Sequence, residues 1–499
     1  MPTREIELQM PDAIDDLTSL IQSGRSAQEG RIKPAIEALF GERYHRGHLK
    51  DLQIRNAYAL AREDTEGGVP YAGLIHPDNP TSGPYGGTSL VWFPADGCSL
   101  MGFGIGTRGI SPDEGILTRP GHRRRIAALR RYFARLGVQA WAKLDPASLG
   151  VEVPQVVRAW WPEFAPAFKR YGAEMYCFAK VPNDPKAGRR VVQSLLDLYA
   201  YERRWKPMST AQTEYEALLA DLRSALFQIP TPAQVNDLLR RRRFVILQGP
   251  PGTGKTRLAD LVRRDSFHGR GKTIQFHPSV TYEDFIIGLA PDPGQGELRF
   301  QVRAGALVTA AAESSAAPYV LVIDEVNRAD LGKVLGEAIY LFEPGEVGGE
   351  NAREVELPHP HNGTRTLKLP ANLYVLATMN TADRSIASVD LAIRRRFAFV
   401  TMPPDRAAVV SRNLEVAIDT FDRIADVFTE HASDDALALM PGHAYFLADD
   451  ETTFQRRVQF ELIPLLDDYL RQGFLGSAAA ELQAVRDSLA DRFGIDATA

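Results

Sequence analysis

Gly249-Pro250-Pro251-Gly252-Thr253-Gly254-Lys255-Thr256 fits the pattern G-x-x-x-x-G-K-[ST] and directly follows the apolar run FVILQ at 244–248. A short buried strand entering a glycine-rich turn and then a helix is the order a phosphate-binding loop requires. The glycines let successive N–H groups curl around the β- and γ-phosphates, and the helix starting near Lys255 adds the positive end of its dipole. Lys255 neutralises phosphate charge, and the Thr256 hydroxyl is placed to ligate Mg²⁺. Gly249, Pro250, Pro251, Gly252, Thr253, Gly254, Lys255, Thr256 and Arg257 are thus the expected nucleotide-binding residues. A chance glycine-rich turn would need neither the strand nor the helix.

Downstream, the run YVLVIDE ends in Asp324-Glu325, so a second strand delivers two carboxylates to the tip of a sheet. Asp324 is expected to hold the metal together with Thr256, and Glu325 to polarise the attacking water as general base. A third run, NLYVLATMN, ends at Asn380, whose amide can hold the attacking water or the γ-phosphate. Asp390-Leu-Ala-Ile-Arg394-Arg395-Arg396-Phe then puts three arginines at a helix end, where a guanidinium can reach a neighbouring subunit's nucleotide. The bland alternative is a basic terminus satisfying its own carbonyls.

The surrounding chain has 499 residues, too many for one core, so two or more domains are expected. Hydrophobic residues at 44% and charged residues at 24% are ordinary for a globular protein. A net charge of -5 argues against coating nucleic acid with the whole surface and leaves only a local basic patch. Cys98 and Cys177 are too few and too scattered for a disulfide framework or a cysteine-rich zinc site. The first residues lack the apolar core of a signal peptide, and no run is apolar enough to span a bilayer. A cytoplasmic protein without membrane contact is expected.

Four further stretches, quoted as they stand, carry a family resemblance: FHPSVTYEDFIIGLAP at 276–291, VIDEVNRADLGKVLGEAIYLFE at 322–343, MNTADRSIASVDLAIRRRFAF at 379–399 and PGHAYF at 441–446. With the phosphate-binding loop they extend the likeness over roughly residues 235–475, and they resemble the McrB-type branch of AAA+ proteins, the motor subunits of modification-dependent restriction systems. The resemblance implies an α/β fold, an αβα nucleotide domain with a small helical lid, assembled as a ring, a hexamer. It also implies a separate McrC-like nuclease partner, DNA as target, Mg²⁺ as cofactor, and GTP as the leading nucleotide with ATP a close second. Asn380-Thr-Ala-Asp383 invites comparison with the guanine-reading N-K-x-D element, while occupying the place of a γ-phosphate sensor. The catalytic set so implied is Lys255, Asp324, Glu325, Asn380, Asp383, Arg394, Arg395 and Arg396. Asn327 and Arg328 resemble positions that communicate with a neighbouring subunit or partner. A second reading, on the shared AAA+ core, is a MoxR-like or dynein-like protein-remodelling chaperone.

The expected domains are an α+β amino-terminal target-recognition domain at 1–205, a helical linker at 206–235, the nucleotide core at 236–405 and the lid at 406–499. Residues 344–370 read as a hairpin turning at Asn362-Gly363, with His359 and His361 given little weight as a metal site. In the amino-terminal part, GHRRRIAALRRYFARLG has one apolar face and arginines over much of the remainder. Arg123, Arg124, Arg125, Arg130, Arg131 and Arg135 are candidates for DNA phosphates, with a ligand-free surface helix at least as good a reading. Tyr85, Trp92, Phe93 and Trp141 can form a pocket for a flipped base or simply a core. Gly104-Ile-Gly-Thr-Arg-Gly109 matches a dinucleotide fingerprint formally, yet SPDEG and not a helix follows it, so a turn is the better reading.

Overall fold

The computed structural model describes residues 12–58, 68–145, 150–292, 299–382 and 391–495. The chain divides into two compact units, one up to Leu226 and one from Phe227, with Thr429–His431 grouping with the first.

The amino-terminal unit is built on a six-stranded antiparallel sheet. Its strands are β1 (Gln53–Asn56), β2 (Ala72–Ile75), β3 (Thr88–Ala95), β4 (Cys98–Ile105), β5 (Ala140–Ala142) and β6 (Met175–Lys180), in the order β1-β2-β3-β4-β6-β5. Asp96-Gly97 closes the β3–β4 hairpin, with Gly97 at φ 67°, a conformation that favours glycine. Alternate residues of β3 feed two cores: Leu90 and Trp92 join the helices 13–22, 29–42, 120–135 and 185–202, while Val91 and Phe93 join Val157, Trp161 and Phe168. Gly104 lies in β4, and a turn rather than a helix follows, in keeping with the reading of that glycine cluster. Helix Gln212–Leu226 adds Tyr215, Leu218, Leu222 and Ala225 to the first core. The segment expected as a linker therefore contributes a packed helix to this unit, because its apolar positions repeat at helical spacing and need a partner surface.

The second unit contains a five-stranded parallel sheet. Its strands are β7 (Phe244–Gly249), β8 (Gly271–Gln275), β11 (Tyr319–Asp324), β14 (Leu373–Asn380) and β15 (Ala398–Thr401), ordered β15-β7-β14-β11-β8. Near-continuous apolar runs in β7, β11 and β14 match a sheet covered on both faces. Register pairs Asn380 with Gly249 and Ile323 with Ala377, so the carboxyl ends of the three central strands finish side by side. That edge is where ligands bind in open parallel sheets.

Two hairpins interrupt the layers. β12 (Glu354–His361) and β13 (Thr364–Lys368) turn at Asn362-Gly363, both at positive φ, as anticipated from the Asn-Gly pair. β9 (Ile287–Asp292) and β10 (Arg299–Ala304) form a second ribbon that the sequence patterning did not announce. The lid is helical, with Phe421, Ile424, Phe428, Leu462, Leu466 and Leu482 in its core.

Candidate nucleotide site

The loop after β7 has the geometry its glycines allow. Gly252 and Gly254 both stand at φ 78°, where a Cβ would be strained, and Thr253 Oγ1 donates to Pro250 O at 3.0 Å. Helix Lys255–Leu261 starts directly afterwards. The Lys255 side chain folds back into the loop, with Nζ donating to Gly249 O at 3.0 Å and Pro250 O at 2.7 Å.

Across the β7–β14–β11 edge, Thr256 Oγ1 donates to Asp324 Oδ1 at 2.8 Å. The Thr378 hydroxyl donates to the same carboxylate oxygen and accepts the Glu325 N–H at 3.0 Å. Thr378 is buried and links the two acidic neighbours. It was not singled out in the sequence, although its hydroxyl in an apolar strand, two residues before Asn380 and hence on the same face, is a detectable signal. Thr256 and Asp324 together offer hard oxygen donors, the chemistry a Mg²⁺ ion takes.

Glu325 has φ 54° and ψ 47°, a left-handed conformation uncommon outside glycine, and it turns the side chain off the strand axis. Three donors hold its carboxylate: Gln275 Nε2 at 2.9 Å, Arg328 Nε at 3.0 Å and Asn380 Nδ2 at 3.3 Å. Asn327 Nδ2 in turn donates to Asn380 O at 3.1 Å. Gln275 carries no signal in the sequence, and only the pairing of β8 with β11, which sets Gln275 opposite Asp324, reveals it. A carboxylate oriented by donors beside a pair of hard oxygen donors can fix a water and accept its proton.

The three arginines separate. Arg396 is buried, with Nη1 donating to Ala392 O at 3.0 Å and Nε 3.6 Å from Glu343. Arg395 is exposed and 3.9 Å from Glu343, and exposed Arg394 lies over the Phe399 ring at 5.4 Å. Asp383 lies outside the described residues.

The lid reaches the loop through the PGHAYF segment. Gly442 N donates to Pro251 O at 3.2 Å and Ala444 N to Gly252 O at 3.0 Å. A carbon added to Gly442 would lie 2.2 Å from the Gly252 carbonyl carbon, so backbone meets backbone here. Thr381, after β14, donates its N–H to Gly249 O at 3.0 Å and its hydroxyl to Ala438 O at 2.9 Å.

In the amino-terminal unit the candidate DNA-binding arginines divide differently. Arg125 is bound to buried Glu202, Nε at 2.8 Å and Nη2 at 3.0 Å, and Arg124 is buried. Arg131 donates to the Ala225 and Leu226 carbonyls and Arg135 to Ser224 O, satisfying a helix end. Arg130 is exposed and Arg123 half-buried. Tyr85 and Phe93 line a small cavity of about 20 Å³ with Tyr71, Tyr171 and Phe178. Trp92 is buried in the other core, donating to the Tyr58 hydroxyl at 2.8 Å, and Trp141 packs beside the second. Among the described residues no helix is long and apolar enough to cross a membrane, and no cluster of three or more His, Cys, Asp or Glu could hold a metal.

Residues 244–397 match the AAA domain of the dynein-related subfamily. The chain is 34% identical over 263 residues to the type IV methyl-directed restriction enzyme EcoKMcrB subunit of Escherichia coli (strain K12), covering 47% of this chain and 56% of that one. It is 25% identical over 217 residues to the type II restriction enzyme BsuMI component YdiS of Bacillus subtilis (strain 168), covering 36% of this chain and 62% of that one. The chain thus spans little more than half the length of these relatives.

Proposed function

Because the chain carries a P-loop AAA+ module of the McrB type, we propose that it is the nucleoside-triphosphate-hydrolysing motor of a DNA restriction complex, preferring GTP and working as a ring with a separate nuclease subunit. The observation that carries the hydrolytic part is the convergence of Thr256 and Asp324 at 2.8 Å beside a Glu325 carboxylate held by three donors. The restriction context rests on likeness to two restriction-system components.

In this reading the loop amides and Lys255 take the phosphates, the ammonium exchanging its two loop carbonyls for phosphate oxygens. Thr256 and Asp324 would hold Mg²⁺, which would supply neutralisation of phosphate charge. Glu325 takes a proton from the attacking water as its oxygen bonds to the γ-phosphorus. The bond from that phosphorus to the β–γ bridging oxygen breaks, leaving the nucleoside diphosphate and inorganic phosphate. Asn380 orients both the carboxylate and the water. Arg394 and Arg395, the exposed pair, are the arginines available to a neighbouring subunit's nucleotide, while Arg396 is held within its own chain.

Phosphate release with GTP and with ATP tests this, each with modified or unmodified duplex DNA and with or without a McrC-like nuclease subunit. GTP-preferring turnover raised by the nuclease subunit is expected. ATP-only turnover indifferent to both DNA and nuclease would overturn the restriction reading in favour of protein remodelling.

A further inference from the structure

The lid loop 441–446 brings one titratable side chain to the phosphate-binding loop that the reading above leaves without a role. His443 Nδ1 lies 3.1 Å from the Asp405 backbone N–H, which can only donate, so Nδ1 is an acceptor and the ring proton sits on Nε2. The other edge of the ring faces the loop: a carbon placed on Gly254 would sit 3.8 Å from Nε2 and 3.9 Å from Cε1. Its neighbours secure that pose. Ala444 N is bonded to Gly252 O, and the Tyr445 ring would stand 3.2 Å from a carbon on Gly252.

We infer that His443 is a nucleotide-binding residue supplied by the lid, its Nε2–H donating to an oxygen of the phosphoribosyl portion common to GTP and ATP. The inference rests on the nucleotide-hydrolase reading and deepens it. Burial pushes the imidazole below its ordinary range, with Asp405 opposing and Arg257 assisting, so the ring is neutral near pH 7 and Nδ1 can keep its bond to Asp405. A bound nucleotide would receive the Nε2 donor. Occupancy is thereby coupled to the lid through one hydrogen bond and the two backbone bonds beside it.

Two conservative substitutions separate the ring's two nitrogens. His443→Asn can place an acceptor where Nδ1 meets Asp405 but has no donor at the Nε2 position. His443→Gln can place a donor near Nε2 and gives up the Asp405 bond. Steady-state turnover and equilibrium binding of a fluorescent GTP analogue are measured for both, for His443→Ala and for wild type, with thermal unfolding as the check on folding. Ala and Asn should raise KM and Kd roughly tenfold, the effect of one hydrogen bond to a charged group, for GTP and ATP alike and with kcat within about twofold. Gln should remain near wild type. The inference is overturned if Asn is wild-type-like while Gln is impaired, if all three are impaired equally, or if none is. Wild-type protein that binds no nucleotide would instead overturn the underlying reading, which a loss confined to the His443 variants would not.

Discussion

The two units use charge in opposite ways. In the amino-terminal unit, buried charges saturate one another. Asp197, fully buried, accepts Arg43 Nε at 2.8 Å, Arg43 Nη2 at 2.6 Å and Tyr44 Oη at 2.8 Å. Asp113 is matched in the same way by Arg203 and by the Thr88 N–H. In the nucleotide unit, the carboxylates stand at strand tips, oriented by neighbours yet retaining oxygens that an ion or a water can take. Saturated pairs hold a core in one arrangement, and incompletely satisfied groups at a sheet edge hold a reactant. Substitutions in the first class should therefore register in stability, and those in the second in turnover.

The largest expected effect is Glu325→Gln, which preserves shape and removes the proton acceptor. Turnover should fall by roughly 10²–10⁴-fold with nucleotide binding and thermal midpoint retained. Unchanged phosphate release would remove Glu325 from the general-base role and erase the contrast at its strongest point.

The mirror experiment is Asp197→Ala, which strands Arg43 in a buried position. A loss of about 3–5 kcal/mol in folding stability is expected, measured by denaturant titration, with turnover per folded molecule close to wild type. A variant of normal stability and lost turnover would show that the pair serves the chemistry after all.

Glu202 makes the same point through pH. Burial alone would raise its pKa, but His122 and Arg125 outweigh that and hold it at about 2, below the usual carboxylate range. A depressed folded pKa contributes stability that is present above the unfolded value near 4.5 and disappears as pH falls toward 2. The contribution is roughly 3 kcal/mol. Glu202→Gln should be less stable than wild type at pH 7, with the difference shrinking as the pH is lowered through that window. A constant difference would refute the linkage.

The contrast also explains what could be read in advance. The phosphate loop, Asp324-Glu325 and Asn380 are legible because each ends an apolar run, and a strand's end is where a polar residue meets the sheet edge. Gln275 and Thr378 acquire their roles only from strand order and register, which five separate runs do not state by themselves. His443 is further removed, since its place depends on the lid loop meeting the phosphate loop through space. On the helix 120–135, periodicity exposes an arginine face correctly but cannot show that Glu202 and the end of helix 212–226 are already bonded to half of it.

That helix gives the smallest and most discriminating prediction. Arg125 and Arg130 are read identically from the sequence, yet one is bound to a buried carboxylate and the other is exposed. If the amino-terminal unit meets DNA on this face, Arg130→Ala should weaken binding less than tenfold, about equally for all sequences. It should also lower the slope of log affinity against log salt by about 1, as removal of one phosphate contact does, with stability within about 0.5 kcal/mol of wild type. Arg125→Ala should show the reverse, lower stability and an unchanged salt slope among the molecules that remain folded. Fluorescence anisotropy on a labelled duplex across a salt series, paired with denaturant unfolding, reads both quantities. If Arg130→Ala leaves affinity and slope untouched, this face is no DNA surface, and the amino-terminal unit's charges are structural on the outside as well as within.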